Sequence, residues 1–141
     1  MKNYQAKVIS IALCFSAMIF SGAGFAAEKA DPGKNATWTG EAGKDNYIGN
    51  CAACHGETGK GDGPLAESLG EGIKPKNISD AKLLSTRTDE YLFKVIKFGG
   101  KAVKLSESMP DWKDTFTDAE IKQIVQYVRE QICKCKPGGK K

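Results

Sequence analysis

The sequence predicts a small all-α domain, and three observations carry that reading. Ile121, Ile124, Val125, Val128 and Ile132 form an apolar stripe at three- and four-residue spacing near the C-terminal end, the period of one helix face. Leu92, Val95 and Ile96, with Phe98 beside them, repeat that spacing upstream. No segment alternates apolar and polar residues as a half-buried strand does. A length of 141 residues suits one domain with appended termini.

Taken in order, the chain opens with Lys2 and Lys7 ahead of residues 8–20, which are apolar apart from Ser10, Cys14 and Ser16. Small residues follow through Ala26 and Ala27 before the first acid, Glu28. A basic start, a short apolar stretch and a small-x-small end predict a secretory signal, residues 1–26, cleaved after Ala26 with Gly24 at the −3 position. The stretch falls short of the ~20 residues a spanning helix needs, so no stable membrane span is expected after cleavage. Cys14 follows Leu13 inside the apolar stretch and so makes a poor lipoprotein site. Residues 27–40 show no period and read as an extended lead-in.

The domain proper is expected over residues 41–132. Tyr47, Ile48, Cys51 and Cys54 recur at helical spacing and predict a helix over 43–53. Gly56, Gly59, Gly61, Gly63 and Pro64 then break any regular element. Short helices are expected over 65–69 and 79–84. A longer one begins at Thr88, an N-cap followed by Asp89 and Glu90, and closes at Gly99-Gly100. The last begins at Thr117, where Thr117-Asp118-Ala119-Glu120 has the form of a capping box. Residues 133–141 form a basic, cysteine-containing tail, expected to be mobile.

Composition removes several functions. The net charge of +4 falls to +2 once Lys2 and Lys7 are cleaved, too mild a balance to imply nucleic-acid binding. His55 is the sole histidine. A single chain therefore holds no HExxH zinc site, no two-histidine facial triad and no bis-histidine haem.

Cys51-Ala52-Ala53-Cys54-His55 carries the chemistry. Positions i and i+3 share one helix face, so both thiols reach one flat object. Two thiols so spaced suit addition to the two vinyl groups of haem, and the adjacent histidine turns a ring nitrogen to the iron. CxxCH therefore reads as covalent attachment of one haem c through Cys51 and Cys54, with His55 as the proximal ligand. A thioredoxin-like pair needs a βαβ context that is missing here. A four-cysteine zinc site would draw on Cys51, Cys54, Cys133 and Cys135 and leave His55 without a role.

With haem attached, a sixth iron ligand is required. Met109, followed by Pro110, Asp111 and Trp112, is the only methionine beyond the signal. It is the candidate distal ligand, against a lysine amine, water or an open position. A thioether is a weak donor that favours ferrous iron, and a saturated iron has no place for substrate. The expectation is electron transfer without catalysis.

These residues resemble the class I c-type cytochromes over nearly the whole chain after the signal. Gly43, Tyr47 and Cys51 stand at four-residue intervals ahead of the motif, and Ile124 and Tyr127 look like partner positions on the last helix. The resemblance implies an all-α, cytochrome c-like fold in which the N- and C-terminal helices cross around a single covalent haem. The stretch from Cys54 to Pro64 is similar to the family's glycine-rich loop, in which a proline carbonyl accepts the other imidazole N–H; Pro64 is the candidate and Pro75 the runner-up. Trp112 and Tyr127 are expected to line or back the haem pocket. The function implied is that of a periplasmic one-electron carrier between redox partner proteins. A haem subunit of a larger oxidoreductase, or a sensor in which Met109 leaves the iron, are the alternatives. Lys74, Lys76, Lys97, Lys101, Lys104 and Lys113 are candidates for steering an acidic partner. Cys133-Lys134-Cys135 lies outside the family pattern. Free thiols, a local disulfide, a metal site and a bridge making a dimer all remain open for it.

Overall fold

A computed structural model describes residues 40–138. The expected signal and nearly all of the lead-in lie outside these residues. Helix α1 spans Glu41–Asn50 and α2 spans Ala52–His55. The single helix expected over 43–53 is thus two, hinged at Cys51, whose φ of −103° departs from helical geometry. Cys54 N donates to Cys51 O at 3.2 Å, the tight closure of a three-residue turn. Residues 65–69 supply only a tight turn, Ala66–Leu69. Helix α3, Ala81–Leu84, begins under Asp80, whose carboxylate accepts from the amides of Lys82 and Leu83.

Helix α4, Asp89–Phe98, has Thr88 as its N-cap and Gly99 after its last turn, as the sequence predicts. Val95 is buried, and Leu92 and Ile96 pack against the core. Phe98 departs from expectation. At 100° per residue it falls beyond Val95 on the flank of the stripe, and it stays 45% exposed. Helix α5, Asp118–Tyr127, opens with the full capping box: Glu120 N donates to Thr117 Oγ1 and Thr117 N to Glu120 Oε2.

Packing centres on the crossing of α1 and α5. Tyr47, Ile121 and Ile124 are the largest fully buried side chains. The rings of Tyr47 and Tyr127 lie 5.4 Å apart, tilted by 46°. Gly43 marks the closest approach, because a Cβ there would stand 2.4 Å from Gln123 O.

After Tyr127 the helix widens. Val128–Ile132 form one π-turn, closed by Cys133 N donating to Val128 O at 2.8 Å. The wider turn buries Arg129 beside Val128 and leaves Ile132 only half-buried. Arg129 Nη1 donates to Leu84 O at 2.8 Å, Nη2 to Arg87 O at 2.7 Å and Nε to Asp89 Oδ1 at 2.8 Å. A buried cation is tolerated only with such partners. The tail, expected to be mobile, is docked as far as Gly138, whose N–H donates to Arg87 O at 2.8 Å. Cys133 and Cys135 are bonded to each other, the local disulfide among the arrangements open for the tail. Among the described residues, no helix is long and apolar enough to cross a membrane.

The helix crossing generates a paired prediction. Gly43→Ala drives a methyl into the Gln123 carbonyl and should cost ~1–3 kcal/mol of unfolding free energy. Gly49 lies in the same helix, and a methyl added there would meet nothing within 4 Å, so Gly49→Ala should gain ~0.5–1 kcal/mol. Urea unfolding of both variants checks the pair.

Candidate functional site

Helix α2 is one turn long and presents Cys51, Cys54 and His55 together. Cys51 and Cys54 are not joined to each other, in contrast to Cys133 and Cys135. Burial, and secondarily the neighbouring Cys54 sulfur, push the Cys51 thiol up to about 11, so it stays protonated at neutral pH. His55 pairs its Nδ1 with Lys76 O at 3.1 Å. A carbonyl only accepts, so Nδ1 carries the proton and Nε2 presents a bare lone pair. Burial holds the imidazole below its ordinary pKa, which keeps the ring neutral and able to ligate a metal.

The acceptor for His55 differs from the expected Pro64 carbonyl, and the loop geometry gives the reason. The glycine-rich loop folds back onto α2: Gly61 N donates to His55 O at 2.8 Å, Gly63 N to Cys54 O at 3.1 Å and Leu65 N to Ala53 O at 2.8 Å. Pro64 is fixed between two amides that face α2's own carbonyls, and it stays exposed. Gly63 approaches so closely that a Cβ would stand 2.4 Å from both Ala52 O and Ala53 O. Gly61, at φ +84°, admits the returning chain; its Cβ would meet Pro75 O at 2.5 Å. Ile78 N donates to Gly59 O at 2.7 Å and fixes that return. The segment just after Pro75 thereby delivers the Lys76 carbonyl to the imidazole.

Tyr47 links the helix crossing to the motif. Its hydroxyl donates to Gly56 O at 2.7 Å, at the end of α2. Burial holds the phenol far above its ordinary pKa, so it remains a donor throughout the working pH range.

Met109 lies half-buried in the loop between α4 and α5. Gly100 N donates to Met109 O at 3.0 Å, so the glycines that end α4 also carry the methionine loop. Trp112 N is shared between Ile96 O at 3.2 Å and Lys97 O at 3.3 Å, which ties the same loop to the last turn of α4. The Trp112 ring stacks on Phe116, with centroids 5.5 Å apart. Tyr127, expected to back the pocket, packs at the helix crossing against Tyr47. Pro64 lines an open cleft of about 510 Å³ with Ala52, Ala53 and Asp62; Cys51, Cys54, His55, Met109 and Trp112 take no part in it.

Two thiols one turn apart and a neutral imidazole with a bare ring nitrogen make a donor set suited to covalent haem. Ile78, Leu83, Leu92, Phe93, Ile96 and Trp112 pack against the core and remain only partly buried. The four-cysteine zinc alternative is not formed: among the described residues no group of three or more His, Cys, Asp or Glu side chains is placed to hold a metal ion.

Sequence reasoning missed the Lys76 carbonyl and the buried Arg129. A backbone acceptor leaves no residue-type signal. Arg129 had none that separates it from Lys122, which adjoins the same stripe and is exposed.

Fold and donor set together define a c-type cytochrome domain. Residues 39–128 match the family model for cytochrome c oxidase, cbb3-type, subunit III, and the chain belongs to this family. It is 34% identical over 99 residues to the cbb3-type cytochrome c oxidase subunit CcoP of Azospirillum sp. (strain B510), covering 70% of this chain and 29% of that protein. It is 27% identical over 99 residues to subunit FixPc of Rhizobium leguminosarum bv. viciae, covering 70% of this chain and 28% of that protein. The chain thus spans under a third of the length of either relative. A chain of the Kuenenia stuttgartiensis reducing HAO-like protein complex Kustc0457/Kustc0458 superposes with a TM-score of 0.54 at 27% identity, covering 72% of this chain and 47% of that one. The chain is an all-α, haem-binding cytochrome c domain of the electron-transfer class.

Attachment through α2 predicts that haem stays with the wild-type polypeptide in acidified organic solvent. It should be extracted completely from the double variant Cys51→Ala/Cys54→Ala, which pyridine haemochrome spectra of the two phases would measure.

Proposed function

We propose that this chain is an exported carrier of single electrons, holding one haem c with His55 and Met109 as axial ligands. The observation that carries the proposal is the His55 ring itself, with Nδ1 spent on Lys76 O and Nε2 left for a metal. The sequence contains one CxxCH, and Met109 is the only methionine after residue 18.

When bound, the haem supplies a ferric–ferrous couple. The chain's own groups set its working conditions. Cys51 and Cys54 hold it by thioether bonds, and Lys76 O fixes the imidazole plane and raises its donor strength. Met109, a weak donor, favours the ferrous state and closes the position a substrate or gas would take. Leu92, Phe93, Ile96 and Trp112, apolar and only partly buried, would supply the dry surroundings that limit solvent reorganisation on each change of charge.

Partner steering rests on fewer lysines than the sequence suggests. Lys97 pairs with Asp118 at 2.6 Å, Lys101 with Glu107 at 2.7 Å, and Lys113 with Asp111 and Asp114. Lys74, Lys76 and Lys104 stay exposed. These three are the cations on which an acidic redox partner would draw.

A second reading, a haem subunit fixed within a larger oxidoreductase, is favoured by the relatives, which are oxidase subunits by name. Ile48, Leu65, Phe98 and Leu105 are exposed apolar side chains available to such an assembly. Sedimentation of the protein purified from its native membranes and soluble fraction separates the readings: a free carrier sediments as a single small chain, a subunit with its partners.

Axial ligation by Met109 predicts that Met109→Ala abolishes the methionine–iron charge-transfer band of the ferric protein and opens the ferrous protein to carbon monoxide, which the wild type resists. Met109→His should lower the reduction potential by a sizeable part of the ~0.8 V range that axial ligands span, as read by spectroelectrochemical titration.

A further inference from the structure

The Cys133–Cys135 disulfide is not used by the haem site, and its surroundings differ from those of a simple staple. It closes a loop of three residues, and so short a loop removes little freedom from the unfolded chain. Lys134, between the two sulfurs, is held at φ 50°, a left-handed conformation unfavourable for a residue with a side chain. The two ends are also unequal. Cys133 is 5% exposed within the core cluster, whereas Cys135 is only partly buried and lines an open cleft of about 540 Å³. Arg129, Lys134 and Lys136 line the same cleft, with Asp89 and Glu130 opposing them. Arg129 Nη1 donates to Cys135 Sγ at 3.4 Å. A fixed guanidinium at that distance stabilises negative charge on the sulfur.

From this geometry we propose that the pair is an exchangeable dithiol–disulfide site, with Cys135 the sulfur that meets an external dithiol and Cys133 the buried sulfur that leaves. An incoming thiolate reaches Cys135 Sγ from the cleft and forms a new S–S bond there. The Cys133–Cys135 bond breaks, its electron pair leaves on the Cys133 sulfur, and that sulfur takes a proton from solvent. The second thiol of the reductant, deprotonated, then attacks its own bonded sulfur. The mixed disulfide breaks, and its electron pair passes to Cys135 beside Arg129. One dithiol loses two electrons and its two thiol protons; one disulfide gains two electrons and the two protons, the second shared with solvent according to pH. Arg129 keeps its bonds to Leu84 O, Arg87 O and Asp89 throughout, so the haem domain need not open.

The test uses the haem-loaded protein without denaturant. Treated with dithiothreitol, it should gain 2 Da by intact mass, mapped to the peptide holding Cys133 and Cys135, while the haem absorption spectrum stays unchanged. Challenged with glutathione disulfide, Cys133→Ser, which leaves Cys135 in the cleft, should form the mixed disulfide at least about tenfold faster than Cys135→Ser, which leaves Cys133 buried. Reduction that needs denaturant, a haem spectrum that collapses in step with reduction, or equal rates in the two variants would each overturn the proposal. Because the first measurement uses the wild type, a variant that fails to load haem does not rescue it.

Discussion

Much of the structure depends on the distance at which α1 crosses α5. Gly43 lets the first helix come within van der Waals contact of the Gln123 carbonyl, and Tyr47, one turn later, fills the space this leaves beside Tyr127. Without that approach Tyr47 could not place its hydroxyl on Gly56 O. Gly56 terminates α2, so the bond carries the position of the helix crossing directly into the haem-attachment turn. The burial that makes the crossing stable also keeps the phenol protonated, and hence keeps the link made. Core packing and site geometry are thus one arrangement in this chain.

From α2 outward the site is held by backbone. Each carbonyl of Ala53, Cys54 and His55 accepts from the returning glycine-rich loop, and that loop admits the 75–76 segment that holds the imidazole. The methionine loop is tied in the same way to Gly100 and to the last turn of α4. Backbone ties of this kind hold His55 and the methionine loop in place without spending side chains on the task. At the far end of α5, a π-turn turns Arg129 inward to gather the α3–α4 connection and the C-terminal hook.

What could be read in advance was local. CxxCH, the Thr88 cap, the Thr117–Glu120 box and the stripe on α5 are each contained within a dozen residues, where spacing alone specifies geometry. The pairing of Gly43 and Tyr47 with the last helix was legible only through the resemblance to the class I c-type cytochromes. The Lys76 carbonyl was not legible, since any backbone carbonyl is the same group and only the path of the loop selects one. Arg129 finds its acceptors 40 to 45 residues away, a separation no spacing argument reaches. Phe98 was misplaced because the periodic face of α4 is narrower than the apolar run that ends it. The docked end of the tail escaped notice for the same reason as Arg129, because Gly138 is held by Arg87, far from it in sequence.

The central claim is that Met109 and His55 share one haem iron. The proton NMR spectrum of the reduced, haem-loaded protein tests it most directly. A methionine methyl held over a diamagnetic haem experiences the full ring current of the macrocycle. Shared ligation predicts a single three-proton resonance displaced to negative chemical shift, assignable to the Met109 ε-methyl. A spectrum with the Met109 methyl among the ordinary methyl signals would contradict it and leave the sixth position to another ligand.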